Sequence, residues 1–350
     1  MLNVAFVAAM ALGLFALVVW GVRTLPAERW QMLAAVPISK STDGSWKGVN
    51  LTFYGFFSST GIAFGFAMML LLLASVGIPV TVSIALLVLV LLVCVRASRV
   101  IAGIVEHKRN TFTIAGAAFV ATILLPLLVL ALRPLSARVL HSEMPFSAIL
   151  AAAAIAYVLA ESIGRLACLS FGCCYGMPLR HAHPAIARLF RNHNLVIRGA
   201  IKKAAYASGF DGEPLIPVQA ITSLIFVASG LAGLVLFLAQ RFRLAALLPL
   251  IASWGWRACS ESLRADYRGS SRISMYQVMA LISVIYLSLV LLLTPTGSQA
   301  APNLAAALSQ VFSVPVLLVL QTLWLVLFFY YGRSRVTAST LSFHLLGDRI

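Results

Sequence analysis

Nine long apolar stretches, separated by polar connectors, run through this 350-residue chain. They lie near 4–22, 52–75, 79–96, 112–132, 146–170, 217–239, 244–262, 273–294 and 311–331. Each is close to the roughly 20 residues that a helix needs to cross a hydrocarbon core of about 30 Å. None has the strict alternation of a barrel strand, and a helix satisfies its own backbone groups in lipid. The pattern therefore predicts an all-α polytopic membrane protein with about nine transmembrane helices. The first stretch is too long for a secretory signal, and Gly21-Val-Arg-Thr-Leu-Pro26 has no small-x-small cleavage site, so it is expected to remain as a helix. Between the stretches, residues 23–50 read as a polar connector with Pro26 and Pro37, and residues 176–216 as a basic surface insertion with an amphipathic piece from Ala185 to Arg191. Residues 295–310 read as a Pro/Gly/Ala linker to an accessory last helix.

Composition agrees with a bilayer: 61% of residues are hydrophobic and only 10% charged, against roughly 25% charged in a soluble domain. A net charge of +16 would suggest nucleic acid in a soluble protein. Here the basic residues flank membrane stretches, so anionic lipid is the expected partner and nucleic acid is not. The connectors after odd-numbered stretches hold most of the Lys and Arg, whereas those after even-numbered ones hold only Arg133, Arg138, Arg241 and Arg243. The positive-inside rule then puts the amino terminus outside and the carboxyl terminus in the cytoplasm. Five cysteines do not make a disulfide framework.

Charges inside the apolar stretches carry the candidate chemistry. Glu161 and Arg165 stand near the end of the fifth stretch, followed by Cys168, Cys173 and Cys174. Ionisable groups at membrane depth are costly, which marks a functional site, although a structural i, i+4 ion pair reads the same way. In the seventh stretch Arg257, Glu261 and Arg264 are spaced i, i+4, i+7 and are expected on one helix face, two guanidiniums clamping a phosphate around a built-in counter-ion. Arg268 and Arg272, by contrast, read as charges reaching into headgroups. Beside so many guanidiniums, Cys173 or Cys174 is expected to have a lowered pKa and to act as a reactive thiolate or to orient an acceptor; the alternative is small apolar packing. The cysteines with His181 and His183 match no standard zinc spacing, so neither metal nor other cofactor is expected. His107, His141 and His193 lie near interfaces and read as lipid-facing or solvated rather than catalytic; His107, beside Lys108 and Arg109, is the one to test as a base.

Taken in order, Phe53-Tyr54-Gly55, Arg99, Gly116, Gly164-Arg165 through Gly172-Cys-Cys-Tyr-Gly176, Pro217-Val-Gln219, Arg257, Glu261, Arg264, Asp266 and Met275-Tyr-Gln277 resemble the prolipoprotein diacylglyceryl transferase family. The resemblance covers about residues 50–295. It implies a seven-helix core at 51–295, carrying the 176–216 insertion, with an extra helix and connector at 1–50 and a linker, helix and tail at 296–350. It also implies a multi-pass enzyme of the bacterial cytoplasmic (inner) membrane that moves the diacylglyceryl group of phosphatidylglycerol, or a related anionic phospholipid, to a prolipoprotein cysteine thiol. On this reading Arg165, Arg257, Glu261, Arg264, Cys173 and Cys174 are the catalytic set, and Tyr54, Arg99, Glu161, Gln219, Asp266 and Gln277 contact substrate. The sequence departs from the family where a histidine is usual, at Ile114, and where an Asn and a Glu are usual, at Cys168 and Cys173. Those departures keep open a cytosolic non-lipoprotein acceptor, or a lipid-binding or transport protein without chemistry.

Overall fold

The computed structural model describes residues 1–40, 42, 46–106, 113–139, 144–266, 273–294 and 301–341. Long helices dominate: α1 (Leu2–Thr24), α2 (Phe53–Ser75), α3 (Val80–Glu106), α4 (Ile114–Val139), α5 (Phe146–Phe171), α8 (Val218–Leu238), α9 (Phe242–Glu261), α10 (Met275–Leu293) and α12 (Val314–Tyr331). Among the described residues eight of these are long and apolar enough to cross a membrane. The ninth, α9, falls short because it carries Arg243, Arg257 and Glu261.

Helix α5 is the axis of the molecule. It is the most deeply buried of the long helices and packs against α2, α8 and α9. In lipid there is little hydrophobic drive between helices, so close approach depends on small residues. Gly61 and Gly65 of α2 supply it, since a Cβ on Gly61 would lie 2.6 Å from the Ala160 carbonyl oxygen and one on Gly65 2.7 Å from the Ala160 Cβ. A hydrogen bond of 2.7 Å from Ser223 Oγ to the Ser162 carbonyl ties α8 to the opposite side.

Three expectations need correction. The connector after α1 is not irregular: β1 (Met32–Lys40) and β2 (Trp46–Thr52) form an antiparallel pair, and β5 (Arg333–Leu341) adds beyond β2 to give the order β1-β2-β5. Pairing with another segment satisfies backbone groups that an isolated connector would leave to water. Part of the linker before the last helix is itself helical, α11 (Leu304–Val311), because Asn303 caps an Ala/Leu run whose Leu304, Ala307 and Val311 are buried. Nor is the 176–216 insertion mainly a surface-lying amphipath. It contains the short helices α6 (Pro184–Phe190) and α7 (Lys203–Ser208), and the strands β3 (Leu195–Val196) and β4 (Pro214–Leu215) pair antiparallel. Leu195, Ile197, Ala204 and Leu215 share a core with Leu166 and Leu169 of α5, while Leu189 of α6 and Tyr206 of α7 are exposed.

These pairings fix the parity of the chain. Residues flanking α2 and following α12 share one sheet, so an even number of crossings separates them. The seven apolar helices from α2 to α12 reach eight only if α9 also crosses. Other contacts obey the same rule. Arg198 and Lys202 of the insertion bond the Pro26 and Leu25 carbonyls after α1, while Asn303 bonds the Ser75 carbonyl and Arg243 the Thr294 carbonyl at the other end.

Candidate functional site

One face of α5 carries Tyr157, Glu161, Arg165 and Cys168, at spacings of four, four and three that stack side chains along a helix. Glu161 is at its centre and only 5% exposed. Its Oε1 accepts from Nη2 of Arg165 and, at 2.7 Å, from Nη2 of Arg257 on α9. The Tyr157 hydroxyl accepts from the same Arg257 nitrogen at 3.0 Å, and the Arg257 guanidinium sits 5.5 Å from the Trp254 ring centre. Two cations and one anion leave this buried cluster with one net positive charge. Glu161 Oε2 and the Nε atoms of Arg165 and Arg257 have no hydrogen-bond partner within it.

Arg257, Glu261 and Arg264 do not share a helix face as expected. Helix α9 stops at Glu261, and the Ser262 and Leu263 amides turn back to the Cys259 and Ser260 carbonyls. Arg264 then lies in extended backbone, bridged to Gly176, with Met177 N–H bonded to the Leu263 carbonyl at 2.9 Å. Its guanidinium grips Asp266 through two bonds of 2.8 Å and stands 3.8 Å from Glu261. The single arginine clamp is thus replaced by two ion clusters, Glu161-Arg165-Arg257 and Glu261-Arg264-Asp266. Ser274 joins the second, its hydroxyl 3.3 Å from Glu261 Oε2.

Between the two clusters the chain leaves α5 through Gly172, whose φ of +70° ends the helix in the left-handed conformation. The Gly172 and Cys173 amides both bond the Cys168 carbonyl, and Gln219 Nε2 holds the Cys173 carbonyl at 2.9 Å. The sulfurs of Cys168, Cys173 and Cys174 all fall within 4.8 Å of one another. Tyr54 is in electrostatic range of all three and packs edge-on against Phe171. The expectation of a lowered cysteine pKa is overturned at Cys173: hydrogen bonding to the Cys168 and Cys174 thiols, together with burial, holds its thiol well above the usual value.

Other expected residues lie elsewhere. Arg99 is exposed and rests over the Tyr330 ring of α12 at 5.4 Å. Gln277 forms the capping box of α10 with Ser274 and donates to the Ala258 carbonyl. His181, His183 and His193 are exposed, and none is grouped with the sulfurs. His107, Lys108, Arg109, His141, Arg268 and Arg272 lie outside the described residues. Tyr157 and Trp254 were missed by sequence reasoning, although Tyr157 stands one turn before Glu161 in an otherwise apolar helix.

An apolar cavity of about 100 Å³ opens among α4, α5, α9 and α10, lined by Leu125, Leu150, Leu250 and Leu287 and bounded by Tyr157 and Trp254. The two aromatic side chains that touch Arg257 therefore also wall a slot for hydrocarbon. No curated protein matches this chain. The family model of the prolipoprotein diacylglyceryl transferases matches residues 45–294, a span that holds both ion clusters, the three thiols and the apolar cavity. The chain belongs to the prolipoprotein diacylglyceryl transferase family.

Proposed function

We propose that the protein transfers the diacylglyceryl group of an anionic glycerophospholipid of the phosphatidylglycerol type to a thiol, that of a prolipoprotein cysteine. The observation that carries this reading is the junction of the apolar cavity with a buried cluster of net positive charge through Tyr157 and Trp254. A few methylenes of an acyl chain suit the cavity. A phosphate anion would cancel the excess charge and accept from guanidinium nitrogens that otherwise lack partners.

In the reaction the acceptor sulfur attacks the glyceryl carbon, an S–C bond forms, and the C–O bond to phosphate breaks. Glycerol phosphate leaves with the electron pair, and the hydrogen lost from the thiol balances its charge. Arg165 and Arg257, already desolvated and oriented, stabilise the charge that develops on the departing phosphate. The Arg264-Asp266 pair, whose charges cancel, fixes the loop at 173–178 through the Gly176 bridge and shapes the entry.

The test is transfer of labelled diacylglyceryl from phosphatidylglycerol vesicles to a prolipoprotein peptide. Arg257→Ala is expected to slow transfer by about a hundredfold or more, as loss of one preorganised donor does. Arg99→Ala should leave it within about twofold, because its contact to Tyr330 is an exposed one. Near-normal transfer by Arg257→Ala would sink the proposal, and phosphatidylglycerol binding without transfer by the unaltered protein would favour a lipid-binding role instead.

A further inference from the structure

We infer that Cys168, Cys173 and Cys174 form a binding site for a thiophilic metal ion of the zinc or copper(I) class. The inference stands apart from the transfer reaction and rests on the sulfur geometry. A metal–sulfur bond of about 2.3 Å places neighbouring sulfurs about 3.8 to 4.0 Å apart in tetrahedral or trigonal coordination. Cys168 and Cys174 Sγ are 3.8 Å apart, and all three sulfurs lie within 4.8 Å of each other. No histidine or carboxylate belongs to the group, and an all-sulfur donor set selects soft ions over magnesium or calcium.

The backbone is bent to make this cluster. Two adjacent residues ordinarily send their side chains apart. Here Cys174 has a φ of 57°, a left-handed conformation uncommon for any residue but glycine, immediately after Cys173 and two residues after the left-handed Gly172. Such outliers persist where the surroundings over-determine them. Three contacts do so: the Cys173 amide to the Cys168 carbonyl at 3.1 Å, Gln219 to the Cys173 carbonyl, and the bridge from Gly176 to Arg264. The result returns both thiols to Cys168, one turn inside α5.

Charge completes the site. Three thiolates around one ion carry a net negative charge that must be offset inside a protein. Arg165 is in electrostatic range of Cys168, Arg264 of Cys174, and Lys203 of both Cys173 and Cys174. Cys168 is buried, whereas Cys174 is partly exposed, so an ion enters from the loop side. Three protein ligands leave a fourth position for water or a small thiol.

The experiment uses the full chain in detergent, reduced and stripped of metal under anaerobic conditions, titrated with Cd(II) as the probe. One equivalent should give thiolate-to-metal charge-transfer absorption. It should also protect Cys168, Cys173 and Cys174, but not Cys259, from alkylation read residue by residue by mass spectrometry. Cys168→Ser and Cys174→Ser should each weaken binding by at least the 10- to 100-fold that loss of even an outer-shell partner costs, with Cys94→Ser and Cys259→Ser unchanged. The protection pattern is read on the unaltered protein, so it holds even if a serine variant fails to fold. Absence of the absorption, protection no greater at the three thiols than at Cys259, or a Cys168-Cys174 disulfide that takes up no Cd(II) after reduction would each overturn the inference.

Discussion

Among the described residues, most buried charges are answered by a charge of the opposite sign. Glu161 answers two arginines, and Asp266 answers Arg264. Lys202 is the exception, because it is fully buried and donates to the Leu25 carbonyl at 3.0 Å and to the Ser170 carbonyl. Burial lowers its pKa from 10.5 to about 8, with Glu28 opposing the shift. The unfolded chain therefore binds the proton more tightly than the folded one, and stability rises with pH through the window from about 8 toward 10.5. Thermal unfolding in detergent should show a gain of about 1 to 3 kcal/mol across that window, absent from Lys202→Met. At pH 7 the same variant should be less stable than the parent, since it leaves two buried carbonyls unmet at about 1 kcal/mol or more each. A flat pH profile for both proteins would show that the ammonium is solvated.

At the scale of elements, the α2–α5 contact controls how well the site is held, since α5 carries four of its side chains. Adding a methyl at Gly61 drives Cβ into the Ala160 carbonyl, an atom of the backbone that cannot swing aside. Gly61→Ala is expected to lower stability by about 1 to 3 kcal/mol and to weaken transfer, whereas Gly103→Ala, with nothing within 4 Å, should be neutral or slightly stabilising. Equal melting temperatures for the two variants would remove close packing as the reason for the glycine. Helices of this kind are legible in the sequence because lipid imposes one rule on all of them, and both Glu161 and Arg165 stand out against it. What the apolar pattern does not reveal is where a helix stops. The spacing of Arg257, Glu261 and Arg264 reads as one face only if α9 continues, and its end at Glu261 is set by a bridge to Gly176, some 88 residues away in sequence (264 − 176). For the same reason the three thiols read as scattered, since only the left-handed turns at Gly172 and Cys174 gather them. The β1–β2 pair leaves only a faint trace in the sequence, two β-branched residues in each run, and an extended connector in a membrane protein reads the same way.

For the whole molecule, the shared contacts divide the connectors into two sets on opposite sides of the bilayer. Single cysteines introduced at Thr42 and Ala187 should react with an impermeant reagent from one side, and those at Gly77 and Gln240 from the other. The expectation from the basic residues is that the first pair reacts from the cytoplasmic side. Labelling of cysteines at Gln240 and Ser262, which flank α9, from the same side would mean that α9 does not cross. Both ion clusters and the three thiols lie at the end of the bundle that Thr42 marks, so this measurement also tells which compartment that end faces.

The sheet joins segments made far apart in time. Strand β2 is synthesised ahead of α2, but its second neighbour, β5, follows α12, so one edge of β2 stays open while the eight long helices from α2 to α12 are made. An unpaired strand edge is a template for any extended peptide that passes. Closure of that edge waits for β5 to be made, and until then the strand is open to pairing with another extended segment.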